Sequence, residues 1–118
     1  MSASFRIKRV YDPPSPKDGH RILIDRLWPR GLSKASAKID FWAKNAAPSA
    51  ELRVWFDHDP AKWAEFKKRY HAELDANPAA IAELRAALGR GTVTIVFGSR
   101  EAKLNNAAAL VSYLQERS

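Results

Sequence analysis

Residues 20–34 read His-Arg-Ile-Leu-Ile-Asp-Arg-Leu-Trp-Pro-Arg-Gly-Leu-Ser-Lys, and the rest of the chain is organised around them. The apolar run 22–24 predicts a buried strand that ends at Asp25, and the proline and glycine after Trp28 predict a turn. Polar side chains that leave a buried strand at a turn are a common way to build a binding site on a rigid scaffold. The stretch therefore predicts a site at the end of this strand.

The composition predicts one soluble globular domain over residues 1–118. The chain has 46% hydrophobic and 28% charged residues and no cysteine. The lack of cysteine excludes disulfides, Cys-ligated zinc and thiol catalysis. The N-terminus lacks the apolar run of a signal peptide, and no stretch approaches the roughly 20 apolar residues of a membrane helix. We therefore expect a cytoplasmic protein that does not bind membranes.

The net charge of +7 is concentrated in the first half of the chain. Residues 1–53 hold 11 Lys or Arg against 5 Asp or Glu. A basic half attracts phosphorylated metabolites, nucleic acid or acidic protein surfaces. The alternative is that the surplus basic side chains only keep the protein soluble.

Strand and helix patterns alternate along the chain. Strands are predicted near 5–10, 21–25 and 92–98, with a short one near 39–42, and helices are predicted to start at Ser33, Ser49, Asp59, Asn77 and after the loop 99–101. The near-continuous apolar run 92–98 is typical of a strand that is buried on both faces. The pattern predicts an α/β fold with a small, mostly parallel sheet flanked by helices.

Two polar groups follow predicted strands: Asp25-Arg26 and Gly98-Ser99-Arg100. In open parallel sheets, ligands bind outside the carboxyl ends of the strands. If these two strands are parallel neighbours, both groups meet at one edge of the sheet. This is the central structural prediction.

Asp25 is the candidate catalytic residue, as a general base or an orienting group. Burial at a strand end would raise its pKa, while Arg26 and Arg30 would lower it. The alternative is a structural ion pair of Asp25 with Arg26 or Arg53.

The predicted anion-binding residues are Arg26, Arg30, Lys34 and Arg53. Arginine offers a planar, bidentate fork for phosphate or carboxylate. Each of these residues could instead form a salt bridge or remain solvated. The spacing of a phosphate-binding Walker loop is absent.

The predicted supporting residues are Trp28, Ser33, Lys44, Ser49, Ser99 and Asn105. Ser49 is interpreted as a helix cap rather than a nucleophile. Trp28 is a candidate stacking surface for a base. The three histidines form no convincing metal set, so no metal or cofactor is predicted.

Four segments carry a resemblance to a known family: Arg9-Val-Tyr-Asp-Pro-Pro, residues 18–34, Ala47-Pro-Ser-Ala-Glu-Leu-Arg and Trp63-x-x-Phe-x-x-x-Tyr-x-x-Glu-Leu. They resemble the YeaO-like branch of domain-of-unknown-function family 488, a set of small bacterial α/β proteins without an established activity. The resemblance implies that the signature polar positions fall on Asp25, Arg26, Arg30, Lys34, Lys44, Ser49 and Arg53.

The chain departs from the family pattern at one position of the last segment. The branch carries Asn-His-Ala there, whereas this chain reads Asn105-Asn106-Ala107. Either the substituted groups are dispensable, or this member has lost that chemistry.

Three classes of function remain open at this point. The leading hypothesis is a basic polar pocket for an anionic, phosphate- or nucleotide-like ligand, with the reaction unknown. The alternatives are a non-catalytic nucleic-acid-binding protein and an interaction or scaffold protein. The oligomeric state is not predicted.

Overall fold

The computed structural model describes residues 4–89, 91–101 and 103–117. Its strands are β1 (Ser4–Arg9), β2 (His20–Leu23), β3 (Phe41–Trp42) and β4 (Thr92–Phe97). Its α-helices are α1 (Lys34–Ala37), α2 (Ala50–Phe56), α3 (Trp63–Asp75), α4 (Pro78–Leu88) and α5 (Asn106–Glu116). Short 3-10 turns lie at Pro16–Asp18, Lys44–Ala46 and Pro60–Lys62. The predicted α/β fold is confirmed.

All four strands are parallel and lie in the order β1-β4-β2-β3. β4 is therefore a central strand with a neighbour on each side, which explains its near-continuous apolar run. Ile95 pairs with Ile7 of β1 and with Ile22 of β2. The predicted strand 21–25 is shorter than expected, although the Ile24 N–H still donates to the Val96 carbonyl at 3.1 Å.

Alternate residues of the central strands enter two different cores. The larger core contains Ile22, Ile95 and Phe97, together with apolar side chains of α2, α3, α4 and α5. The smaller core contains Leu23 and Val96. Because successive strand residues point to opposite faces, the two cores lie on the two sides of the sheet.

Side chains cap the starts of these helices, at Ser49 and Asn77 as predicted and at Asn105, where no cap was predicted because the last helix was expected to begin directly after the loop 99–101. The Ser49 hydroxyl accepts from the Leu52 N–H at 3.1 Å, and Asn77 and Asn105 do the same for Ala80 and Ala108 at 3.4 Å and 2.9 Å. A side-chain acceptor at this position satisfies a backbone donor that the first turn leaves free. No helix within the described residues has the length and apolar character needed to cross a bilayer.

A buried charged network stabilises the start of β2. The Asp18 carboxylate accepts from the Arg21 guanidinium at 2.7 Å, from the Lys8 ammonium at 3.2 Å and from the Ser15 N–H at 3.0 Å. The Thr94 hydroxyl donates to the Asp18 carbonyl at 2.7 Å, which links the network to β4. Burial acts to raise the pKa of Asp18, but the hydrogen bonds from Ser15, Lys8 and Arg21 together lower it.

Candidate functional site

The two polar groups after β2 and β4 meet at one edge of the sheet. Leu23 of β2 pairs with Val96 of β4, so both strands end side by side. The Asp25 Oδ2 atom accepts a hydrogen bond from the Gly98 N–H at 2.7 Å. The predicted juxtaposition is therefore observed, and it places Asp25 at the carboxyl end of a parallel sheet, where ligands bind in such folds.

A cleft of about 590 Å³ opens beside this edge. The strand ends and the start of α5 supply part of its polar lining. Further lining residues come from α2, among them Ala50, Arg53 and Val54, and from the turn after it. The complete lining is Asp25, Leu27, Ala50, Arg53, Val54, Phe56, Asp57, His58, Phe66, Gly98, Ser99, Asn105 and Asn106. The cleft thus combines one arginine and several hydrogen-bonding groups with an apolar surface.

Asp25 is held at both carboxylate oxygens. Besides the bond from Gly98, its Oδ1 atom accepts from the Asn106 side-chain amide at 3.1 Å, and its backbone carbonyl accepts from the Trp42 indole N–H at 2.7 Å. Burial raises the pKa of Asp25, and the hydrogen bonds from Asn106 and Gly98 and the charge of Arg53 offset only part of that rise. Asp25 is therefore a rigidly placed carboxylate that is harder to ionise than an exposed one.

Arg26 does not form the ion pair with Asp25 that was the alternative interpretation. Its guanidinium donates to the carbonyls of Ala47 and Pro48, both at 3.3 Å. Arg26 instead lines a second, smaller cavity of about 380 Å³, together with Asn45. The arginine next to Asp25 in sequence therefore points away from the cleft.

Ser99 is one of the predicted supporting residues that does line the cleft. Its hydroxyl is buried and has no hydrogen-bond partner within the described part of the chain. Its carbonyl accepts from the Arg9 Nε atom at 2.9 Å, which fixes the backbone. A buried hydroxyl that lacks a partner is costly unless a ligand or water supplies one.

Asn105 lines the cleft but serves mainly as the cap of α5. Its Oδ1 atom accepts from the Ala108 N–H at 2.9 Å, and its amide donates to the Glu101 carbonyl at 2.9 Å. The amide contact expected from this residue is made by Asn106, the next residue along the chain, which bonds Asp25. As the cap, Asn105 points toward its own helix, and Asn106 is the residue that faces the carboxylate of Asp25.

Trp28 does not offer a stacking surface in the cleft. Its ring packs edge-on against Trp42 with 5.4 Å between centroids, and its indole N–H donates to the Leu32 carbonyl at 2.7 Å. Both rings pack against the smaller core. Trp28 thus packs in the smaller core, on the side of the sheet opposite to the cleft.

Four further predicted residues lie outside the cleft. Ser33 caps α1 through the Ser36 N–H at 3.1 Å, and the Lys44 ammonium lies 4.9 Å from the centroid of the Trp42 ring. Arg30 and Lys34 are exposed and do not line the cleft. The cleft lining therefore includes none of these four side chains.

Ser49 is a structural residue. Its hydroxyl donates to Glu73 Oε2 at 2.6 Å while accepting from Leu52, and its N–H donates to Glu73 Oε1 at 2.9 Å. Both of its polar groups are therefore used to attach the start of α2 to α3. The interpretation of Ser49 as a cap is confirmed.

The site also contains residues that the sequence interpretation missed. Val54 follows Ala50 at helical spacing and shares its face of α2, which is a signal that the sequence contained. Leu27, Asp57 and His58 carry no such signal. His58 enters the cleft because Asp57 and His58 both adopt left-handed backbone conformations, with φ of 46° and 54°, that turn the chain after α2.

No group of three or more His, Asp or Glu side chains suited to a metal ion occurs among residues 4–89, 91–101 and 103–117. The chemistry available in the cleft is therefore that of hydrogen bonds, one guanidinium, one imidazole and two carboxylates.

Comparison with known proteins identifies the family. A family model described as "Inactive DUF488-N3 subclade" matches residues 4–118. The chain belongs to this family. An uncharacterised protein of Mycobacterium tuberculosis (strain ATCC 25618 / H37Rv) is 44% identical over 112 residues, which cover 95% of this chain and 94% of that protein. The uncharacterised protein YeaO of Escherichia coli (strain K12) is 36% identical over 112 residues, 95% of this chain and 97% of YeaO.

No solved structure matches the chain. The resemblance to the YeaO-like branch of the DUF488 family is confirmed by these matches. In this DUF488 member, Asn106 occupies the position where the branch was expected to carry a histidine, and it is the residue that bonds Asp25.

Proposed function

We propose that this DUF488-family protein binds a small anionic, phosphate- or nucleotide-like ligand in the cleft and does not turn it over. The observation that carries the proposal is that Arg53, whose side chain is exposed and has no hydrogen bond or ion pair to any described residue, lines the cleft at the carboxyl end of the sheet. It supplies a positive charge beside the hydrogen-bonding groups of the cleft.

The size of the cleft suits a small molecule. Ligand sites are clefts of about 300–1,000 Å³ with a mostly apolar lining and a few convergent polar groups. The cleft of about 590 Å³ lies within this range, and its position beyond the ends of β2 and β4 is where ligands bind in parallel α/β sheets.

Arg53 is the best-placed group for an anion. Its side chain is exposed and makes no hydrogen bond or ion pair to any described residue, whereas Arg26 is engaged with two carbonyls. An arginine without a protein partner keeps its five donors available for phosphate or carboxylate. His58 lines the same cleft, and its imidazole adds hydrogen-bonding atoms to it.

The proposal excludes turnover for two reasons. Asp25 is the candidate base, yet its nearest side-chain partner is the amide of Asn106, which neither accepts nor releases a proton at ordinary pH. The matching family model is itself described as inactive. Asp25 and Asn106 then act as a fixed polar surface rather than as a proton-transfer pair.

A thermal-shift screen tests the proposal. Wild-type protein and the Arg53→Gln and Arg30→Gln variants are compared against nucleoside monophosphates, sugar phosphates and a short oligonucleotide. A ligand that binds only the native state raises the unfolding temperature. We expect a stabilising small phosphate compound whose effect is lost in Arg53→Gln and retained in Arg30→Gln.

The same screen separates the alternatives. Stabilisation by the oligonucleotide alone, weakened by both substitutions and steeply lost with added salt, would favour the nucleic-acid interpretation, which the charge of +7 motivates. Stabilisation by none of the compounds would leave the scaffold interpretation.

A further inference from the structure

Exposed apolar side chains are concentrated at the cleft. Leu27 and Val54 are 71% and 78% exposed, and they are the two most exposed large hydrophobic residues of the described chain. Both line the cleft. The other two exposed residues of this kind, Ile7 and Tyr11, reach only 40% and 42% and lie on or next to β1.

The apolar surface and the positive charge lie next to each other. Val54 follows Arg53 directly on α2, and Leu27 comes from the loop after β2, so two separate elements bring apolar side chains to the cleft. Phe56 and Phe66 add ring surface to the same lining, stacked with 4.3 Å between their centroids. Phe56 and Phe66 are themselves almost completely buried, so a bare phosphate at Arg53 would leave the side chains of Leu27 and Val54 in water.

Two exposed side chains make a patch too small for a stable protein partner. Specific protein interfaces bury about 1,200–2,000 Å² in total, and their energetic centres are apolar residues seated in well-packed pockets. A small molecule in a cleft of about 590 Å³ can instead cover Leu27 and Val54 while its charge lies at Arg53. The apolar residues are therefore better explained as part of the ligand site than as a docking surface.

We propose that the ligand carries its anionic group on an apolar or aromatic body that packs on Leu27 and Val54. This inference rests on the proposed function, because it describes the ligand of the same cleft. It predicts that an aryl phosphate binds and that inorganic phosphate, which lacks the body, binds much more weakly.

Titration calorimetry with inorganic phosphate and phenyl phosphate tests the inference. We expect phenyl phosphate to bind at least about tenfold more tightly, since burying apolar surface of this size contributes that much. The Val54→Ser variant should lose most of this difference while its affinity for inorganic phosphate stays unchanged. The matched control is Ile7→Thr, which removes an exposed apolar group outside the cleft and should bind both compounds like the wild type.

The outcomes separate this inference from the proposed function. One outcome would refute the apolar body and keep the anion site. In it the wild type binds both compounds equally well, Arg53→Gln weakens the binding of both, and Val54→Ser changes neither affinity. If neither compound binds to the wild type, the proposed function falls and the inference falls with it.

Discussion

The carboxylate of Asp25 and the backbone N–H of Gly98 are joined by a hydrogen bond of 2.7 Å across 73 residues of sequence. A Cβ atom built on Gly98 would lie 2.7 Å from the same carboxylate oxygen. The bond and the close approach have one cause: the ends of β2 and β4 lie so near each other that only a hydrogen atom fits between the backbone and the side chain. Gly98 is needed for its small size.

The Gly98→Ala variant should be destabilised and should lose ligand binding. The new methyl group must displace Asp25, which Asn106 and the Gly98 N–H hold in place. We expect a loss of about 1–3 kcal/mol in the free energy of unfolding, as for other overpacked sites. Urea unfolding measures it. Gly91→Ala is the control, because a Cβ there meets nothing within 4 Å. Equal stability of the two variants would contradict the close approach.

The ionisation of Asp25 should make the folded state less stable as the pH rises. Because burial raises the pKa of Asp25, the folded protein retains this proton above the ordinary value of 3.8, where the unfolded chain has lost it. The stability contributed by Asp25 is therefore lost between pH 3.8 and its raised pKa. Urea unfolding of the wild type and of Asp25→Asn should be compared from pH 3 to pH 7. Across this window the free energy of unfolding of the wild type should fall relative to that of the variant. A constant difference would refute the raised pKa.

The Asn106→Ala variant should move that window upward. The amide of Asn106 lowers the pKa of Asp25 by donating to its ionised form. Removing the amide should therefore let burial raise this pKa further. The pH at which the stability falls should shift to a higher value than in the wild type, and NMR titration of the Asp25 carboxyl carbon would report the shift directly. An unchanged titration would mean that the amide does not contact the carboxylate in solution.

The Asp18→Ala variant should be among the most destabilising in the chain. Asp18 is fully buried, and its removal leaves the Arg21 guanidinium, 3% exposed, without a counter-charge. Breaking a buried pair from one side costs about 3–5 kcal/mol. Because the pKa of Asp18 is lowered, this stabilisation is complete at neutral pH and is lost as the pH falls through the lowered pKa.

Glu65→Gln provides the control for Asp18. Glu65 also pairs with an arginine, Arg69, at 2.9 Å, but both side chains are about half exposed. Exposed pairs of this kind contribute little. Urea unfolding at pH 7 should therefore separate the two variants clearly, and similar losses would argue against the buried network.

The Ser49→Ala variant should lose stability without losing ligand binding. The substitution removes the cap of α2 and the hydroxyl donor of Glu73. Loss of a serine cap costs about 1 kcal/mol. Chemical unfolding measures this cost, and calorimetry with phenyl phosphate should show wild-type affinity. A loss of affinity at unchanged stability would instead mean that Ser49 contributes to ligand binding.

The fold was largely predictable because its signals are local. The near-continuous apolar residues of β4 predicted a strand buried on both faces, and the side chains of Ser49 and Asn77 marked helix starts. The meeting of Asp25 with the loop after β4 then followed from the general geometry of parallel sheets.

The membership of the site was less predictable, because side-chain directions in irregular segments follow no period. Asp25 points into the cleft, Arg26 turns to the carbonyls of Ala47 and Pro48, and Trp28 packs on the other face of the sheet. Only contacts with distant parts of the chain decide between these directions. Arg53 belongs to the cleft because α2 is regular, which places its side chain on the face shared with Ala50.

The position of β4 between β1 and β2 also constrains how the protein is made. During synthesis the first 91 residues leave the ribosome before the strand that joins β1 to β2 exists, since β4 begins at Thr92. The two early strands have no direct pairing with each other. Until β4 emerges, β1 and β2 remain unjoined edges that are open to wrong partners, and the cleft can be assembled only after that strand has been made.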